Sequence, residues 1–189
     1  MITTERLGLR RWLAQDLEPF VEMNRDPKVM EFLPKQLSRA ETEQFLDRIE
    51  KHFSTHGYSL YAVDNRISGD FVGFTGFQWA TFISDFTPCV EIGWRLPYRH
   101  WGKGYASEAA AACLHHGFQV LDFPEIVSFT SVINLRSIAV MKRIHMKFRF
   151  RFGHPKLPPE HRLYEHVLYA MKREEYSSAH HIDRCVLNG

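Results

Sequence analysis

Between residues 99 and 106 the chain reads Arg99, His100, Trp101, Gly102, Lys103, Gly104, Tyr105, Ala106. A strand, Val90 to Leu96, is expected just before this stretch. An alanine-rich helix, Gly104 to about His116, is expected just after it. The first N–H groups of a helix have no partner within the helix, and the helix dipole favours negative charge beside them. Glycine adds access to positive φ and lets a ligand approach the main chain. Together these features make a site for a phosphate-bearing group. Arg95, Arg99, His100 and Lys103 are expected to surround it as a basic cluster.

The spacing fits neither common nucleotide loop. A P-loop places four residues between its first glycine and a Gly-Lys-Ser/Thr end. The dinucleotide fingerprint needs a third glycine where Ser107 stands. What remains, Arg-x-x-Gly-x-Gly at a strand-to-helix junction, resembles the coenzyme A pyrophosphate loop of the GNAT superfamily of acetyl-CoA-dependent N-acetyltransferases. Other stretches agree in order. Glu91-Ile92-Gly93-Trp94-Arg95-Leu96 resembles the strand before the loop, and Glu125 to Thr130 the strand after it. Asn134 to Met141 resembles the next helix, Thr4 to Arg10 the first strand, and Asp16 to Phe20 the first helix. The resemblance spans roughly residues 3 to 173. It is nearest to the branch of ribosomal-protein N-terminal alanine and serine acetyltransferases, which also holds enzymes for small amines.

This resemblance implies one mixed α/β domain over residues 1–176, with a central twisted mixed sheet, helices on both faces and a tail at 177–189. It implies acetyl-CoA as co-substrate and no metal. The implied cofactor-binding residues are Trp94, Arg95, Leu96, Arg99, His100, Trp101, Gly102, Lys103, Gly104, Tyr105, Ala106 and Asn134. The implied reaction is direct attack of a primary amine on the thioester in a ternary complex. A protein N-terminal α-amine is the favoured acceptor over a polyamine or an aminoglycoside.

Such a transfer makes three demands. The amine must lose a proton, the oxyanion needs a donor, and the thiolate can take up a proton. The last demand is mild, because a thiol pKa lies near ~8.5. The resemblance implies Glu91 as base, directly or through a water. It implies a main-chain N–H between Ile92 and Arg95 as oxyanion donor, with Gly93 a candidate bulge or close-approach residue. The superfamily's usual tyrosine acid is replaced by Met141, which cannot donate a proton. Ser137, about one helical turn earlier, is the implied partner of the sulfur, and Asn134 caps the helix and meets the pantetheine arm. The Met141 departure also keeps open a non-catalytic acyl-CoA-binding module. His145 stands where relatives carry glycine, which puts the helix C-terminus in question. His154-Pro155 resembles a segment of close relatives and is expected to shape the acceptor side.

The positioning elements follow from local patterns. Leu7 and Leu9 alternate with polar residues, as in a half-buried strand. Ser38 followed by Glu41 reads as a capping box opening a helix that ends near Gly57. Tyr58 to Val63 and Phe71 to Trp79 read as a hairpin, followed by a loop over 80–88. Phe74, Phe77, Trp79, Phe82 and Phe86 are candidate walls of an acceptor cleft formed by the first two helices, this loop and the last hairpin. Ile126 to Val132, Asn134 to about Ile144, Lys147 to Phe152 and Leu163 to Met171 complete the pattern as strand, helix, strand and strand.

The 189 residues suit one well-buried domain. A net charge of +2 is too small to imply nucleic-acid binding. No run is long and apolar enough for a membrane span, and the N-terminus lacks a signal-peptide pattern. Cys89, Cys113 and Cys185 are sparse and odd in number, as expected of free thiols in the cytoplasm. A monomer and a homodimer are both compatible with the sequence. His180, His181 and Cys185 are too loosely spaced to read as a metal site.

Overall fold

The computed structural model describes residues 1–177. Its elements run β1 (Ile2–Thr3), β2 (Leu7–Arg10), α1 (Leu17–Arg25), α2 (Arg39–His56), β3 (Leu60–Asn65) and β4 (Phe71–Ala80). They continue with β5 (Cys89–Arg95), α3 (Tyr105–Gln119), β6 (Glu125–Ser131), α4 (Leu135–Arg143), β7 (Lys147–Gly153) and β8 (Glu165–Lys172). All eight strands form one sheet in the order β1-β2-β3-β4-β5-β6-β8-β7. Its pairs are antiparallel except β5–β6, so the sheet is mixed as expected. His180, His181 and Cys185 lie outside the described residues. Among the described residues no helix is long and apolar enough to cross a membrane.

Helices cover both faces of the sheet. Phe74 meets Phe20 of α1 and Phe45 of α2 at ring-centroid distances of 5.9 Å each. Phe77 lies three residues on and points to the opposite face, as strand alternation requires. There an added Cβ on Gly117 of α3 would stand 2.8 Å from the Phe77 ring, so helix and sheet touch closely. The helix boundaries follow their caps. Ser38 accepts from the Glu41 N–H and Glu41 returns to the Ser38 N–H, while Gly57 ends α2 at φ +78°.

Three expectations are revised. The first strand is split, because Thr4 Oγ1 accepts from the Leu7 N–H in a turn and β1 folds back on β2. Helix α3 runs past His116 to Gln119. Gly93 is not a bulge, since the β4–β5 register is unbroken from Phe74↔Arg95 to Ala80↔Cys89. His145 keeps the left-handed turn that glycine usually supplies, at φ +62°, and its N–H bonds to the Lys142 carbonyl.

Candidate active site

The site begins where the sheet comes apart. Strand β5 pairs with β6 only at Glu91↔Val127, whereas it pairs with β4 along its whole length. Beyond Glu91 the two parallel strands diverge. An inner strand carries main-chain groups on both edges, so those of residues 92–95 that face β6 have no strand to bond. The divergence opens a cleft of about 760 Å³ running from the α3 N-terminus to Glu91. Glu91, Trp94, Arg95, Leu96, His100, Trp101, Gly102, Gly104, Tyr105, Ala106, Asn134 and Ser137 line it together. Arg99 and Lys103 are exposed on the same loop outside this lining.

One end of the cleft is built from main chain. Gly102 and Gly104 have φ of +74° and +80°, and Gly104 occupies the cap position of α3 with no side chain bonded to the helix N–H groups. Those N–H groups are thus left for an anion. The loop is tied from behind. Arg6 donates to the Lys103 carbonyl at 3.0 Å and pairs with Glu108 of α3 at 2.5 Å, and Thr4 donates to the same carboxylate. The Trp101 indole N–H bonds the Leu96 carbonyl at 2.8 Å, folding the loop onto the end of β5. Of the expected basic cluster, Arg99, His100 and Lys103 lie close together at the loop, and Arg95 stands apart from them. His100 is buried, and Arg95 sits on the α1–α2 face of the sheet, with only Arg99 and Lys103 exposed at the loop.

The other end is built from side chains. Glu91, Gly93 and Arg95 share one face of β5 by alternation. The Glu91 carboxyl opens to the cleft yet is densely surrounded by protein. Desolvation pushes its pKa up to about 8, and the charge of Lys156 offsets this only in part. Glu91 also lines a second cavity of about 230 Å³ with Gln78, Trp79, Phe82, Phe129, His154 and Lys156. It therefore stands between the long cleft and a small pocket. Burial, with the neighbouring His166 and Lys156, depresses His154 to about 4, so that ring is neutral at ordinary pH.

Across the divergence, Asn134 caps α4. Its Oδ1 accepts from the Ser137 N–H at 3.2 Å, and its Nδ2 donates to Thr130 Oγ1 at 2.9 Å and to Ser137 Oγ at 3.1 Å. The Ser137 oxygen is thus used as acceptor, and its hydroxyl hydrogen remains to be donated into the cleft. Met141 is buried and lines the same wall.

The cleft also has a cover that the sequence did not reveal. Arg136 of α4 pairs with Glu31 in the α1–α2 connection at 2.6 Å and lies 4.5 Å over the Trp101 ring. Arg162 donates to the Glu31 carbonyl, and the Arg136 and Arg162 guanidinium groups lie 5.7 and 5.9 Å from the Phe32 ring centroid. Of the aromatic wall candidates, Phe74 lines the long cleft and Trp79 and Phe82 line the small pocket. Phe77 is in the core, and Phe86 packs on Phe129 and Phe152 in a satellite cluster.

An eight-stranded mixed sheet with one diverging parallel pair and a glycine-capped helix at the mouth of the cleft defines an acyl-CoA transferase class. Residues 6–147 match the family described as Acetyltransferase (GNAT) domain. The chain belongs to this GNAT family and is an acetyl-CoA-dependent N-acetyltransferase. The uncharacterized N-acetyltransferase YnaD of Bacillus subtilis is 28% identical over 177 residues, covering 93% of this chain and 99% of the relative. Two solved structures share the fold. RimL, the ribosomal L7/L12 α-N-protein acetyltransferase in complex with coenzyme A, matches with a TM-score of 0.75 at 19% identity, covering 92% of this chain and 98% of its own. A spermidine N-acetyltransferase from Vibrio cholerae, in complex with CoA and spermine, matches with a TM-score of 0.73 at 16% identity, covering 92% and 99%. At those identities the two structures speak to the fold alone.

Proposed function

We propose that the acceptor is the α-amine of a protein or peptide N-terminus, with Glu91 as the base and Ser137 as the partner of the sulfur. The observation that carries this reading is the charge of the cleft. Among the described residues Glu91 is the sole carboxylate lining either cavity, and Arg95, Arg136, Arg143 and Lys156 line them with it. Glu31 lies nearby but is paired with Arg136. A polyamine or an aminoglycoside brings several positive charges and finds a single lining carboxylate, Glu91, among the described residues. An N-terminal amine brings one charge, and that charge is lost before attack. Its pKa of about 7.7–8.0 is close to that of Glu91, so the proton moves between well-matched groups.

The steps assign a task to each group. The main-chain N–H groups of the loop and the first turn of α3, from Gly102 to Ala106, hold the pyrophosphate of acetyl-CoA, with Arg99 and Lys103 as exposed counter-charges. The unpaired main chain of β5 from Ile92 to Arg95 meets the pantetheine arm and supplies the oxyanion N–H. The amine lone pair forms the C–N bond, and the amine proton passes to Glu91 directly or through one water. Collapse of the oxyanion breaks the C–S bond, and the departing thiolate receives a hydrogen bond from Ser137.

Mixing the protein and acetyl-CoA with a pooled panel of N-terminal peptides, polyamines and aminoglycosides tests the assignment by mass spectrometry. The expected product is a peptide acetylated at its α-amine. An acetylated polyamine or aminoglycoside with unmodified peptides contradicts the assignment. An acetyl-CoA pool left intact throughout, with bound CoA detected, favours the binding-module alternative.

A further inference from the structure

Arg95 is a half-buried cation, closely surrounded by protein, without a carboxylate partner among the described residues. No carboxylate of the described residues lies within ion-pair distance of it, and its one hydrogen bond runs from Nη1 to Asn24 Oδ1 at 2.7 Å. A guanidinium has five N–H donors. The Nε–Nη2 edge is therefore left whole, and Arg95 lines the cleft. The side chain is held firmly in place. It lies 5.3 Å over the Phe74 ring and 5.8 Å over the Phe45 ring. Asn24 is fully buried in α1 and donates to Thr42 Oγ1 of α2 at 3.3 Å, and Thr42 in turn donates to the Ser38 carbonyl at 2.9 Å. This buried polar chain spans α1 and α2 and ends on Arg95.

Taking a charge out of water without a partner costs several kcal/mol. Desolvation lowers the Arg95 pKa to about 10, in keeping with that cost. A ligand anion would offset it, and a free guanidinium edge suits a carboxylate that accepts two parallel hydrogen bonds. The anions of coenzyme A are accounted for elsewhere. Its phosphates belong at the loop from Gly102 to Ala106, and the pantetheine arm that passes β5 is uncharged. Arg95 faces α1 and α2, on the side of the sheet that carries Glu91.

Building on the N-terminal reading above, we infer that Arg95 selects acceptors carrying a carboxylate some residues away from the reacting amine, as in an acidic N-terminal peptide. Arg95 and Glu91 lie four residues apart on the same face of β5, roughly 13 Å between their Cα atoms at a strand rise of about 3.3 Å. An extended acceptor that presents its amine to Glu91 brings one of its first few side chains to Arg95.

The test is a set of hexapeptides with a free N-terminal amine and one Glu at position 2, 3, 4 or 5, each beside its Gln counterpart. The expected result is a preference for Glu of at least about tenfold in kcat/KM at one position, falling below about twofold in Arg95→Gln and partly retained in Arg95→Lys. Because the wild-type protein alone reports the Glu-to-Gln ratio, the test survives a poorly folding variant. Equal rates for Glu and Gln at every position overturn the inference. So does an Arg95→Gln variant that raises KM for acetyl-CoA and leaves the ratio unchanged, which would place Arg95 on the cofactor. If no peptide is acetylated, thermal shift in the presence of CoA compares 6-aminohexanoate with 6-aminohexanamide. Stronger stabilisation by the acid keeps the inference while the N-terminal reading falls. Equal stabilisation ends both.

Discussion

The two ends of the cleft solve recognition in different ways. At the mouth, Gly102, Gly104 and the first turn of α3 offer main-chain N–H groups, and the nearby cations Arg99 and Lys103 are exposed. At the far end, Glu91 and Arg95 are charged side chains crowded by protein, and each is shifted toward its neutral form by desolvation. The mouth therefore suits a ligand part with fixed charge and fixed shape. The far end suits a group whose proton must move and whose identity must be checked. Under the proposed assignment, affinity for the cofactor and chemistry on the acceptor are separable in this molecule.

Changes at the far end should break turnover while sparing cofactor binding. Glu91→Gln removes the proposed base and is expected to lower kcat by about 10²- to 10⁴-fold, with the Kd for acetyl-CoA from calorimetry unchanged. The same variant should be more stable than the parent above neutral pH. The Glu91 pKa is raised from 4.5 to about 8, so the native state holds this proton more tightly than the unfolded chain does. Its contribution favours folding below about pH 4.5 and is lost as pH rises through about 8. Melting temperatures of parent and variant should accordingly diverge across that window. Parallel melting curves would remove the claim that Glu91 is strained by burial.

The opposite pattern is expected at the mouth. Gly104→Val forces a β-branched residue into φ +80°, with its Cβ 3.3 Å from the Arg6 guanidinium. Strain of roughly 1–3 kcal/mol predicts about five- to 150-fold weaker acetyl-CoA binding. At saturating cofactor, kcat should recover. A lost kcat with intact binding would collapse the division between the two ends.

A smaller effect is expected across the divergence. Ser137→Ala removes the proposed hydrogen bond to the departing sulfur, worth about 1 kcal/mol, and predicts about a fivefold lower kcat in single-turnover measurements. The smallest effect concerns stability alone. His145→Gly relieves a left-handed residue and should stabilise the fold by about 1 kcal/mol, or roughly 2–4 °C in Tm, with unchanged kinetics.

The same division governs what could be read from the sequence. The mouth was legible because its determinants are contiguous: two glycines, a helix start and the preceding strand. The α2 caps were legible for the same reason. The far end was legible only at Glu91. Arg95 was misplaced into a basic cluster because sequence proximity to Arg99 hides strand alternation, which turns its side chain to the α1–α2 face. Its partner Asn24 is 71 residues away, and the Arg136–Glu31 cover joins residues 105 apart. One local signal existed for Asn24, a polar residue one turn beyond Phe20 on the apolar side of α1. The separation of β5 from β6 carries no local signal, because it arises from parallel pairing that ends after a single register position.

The measurement that tests this account most directly is the pH dependence of kcat for N-terminal peptide acetylation at saturating acetyl-CoA and peptide, in the parent and in Glu91→Gln. A parent rate that climbs with pH to a plateau above an apparent pKa near 8 is expected, with the variant lower by at least about 10²-fold across the range, where the acceptor amine's own ionisation alone sets the pH dependence. Superimposable profiles of similar height would contradict the assignment of Glu91 as the base.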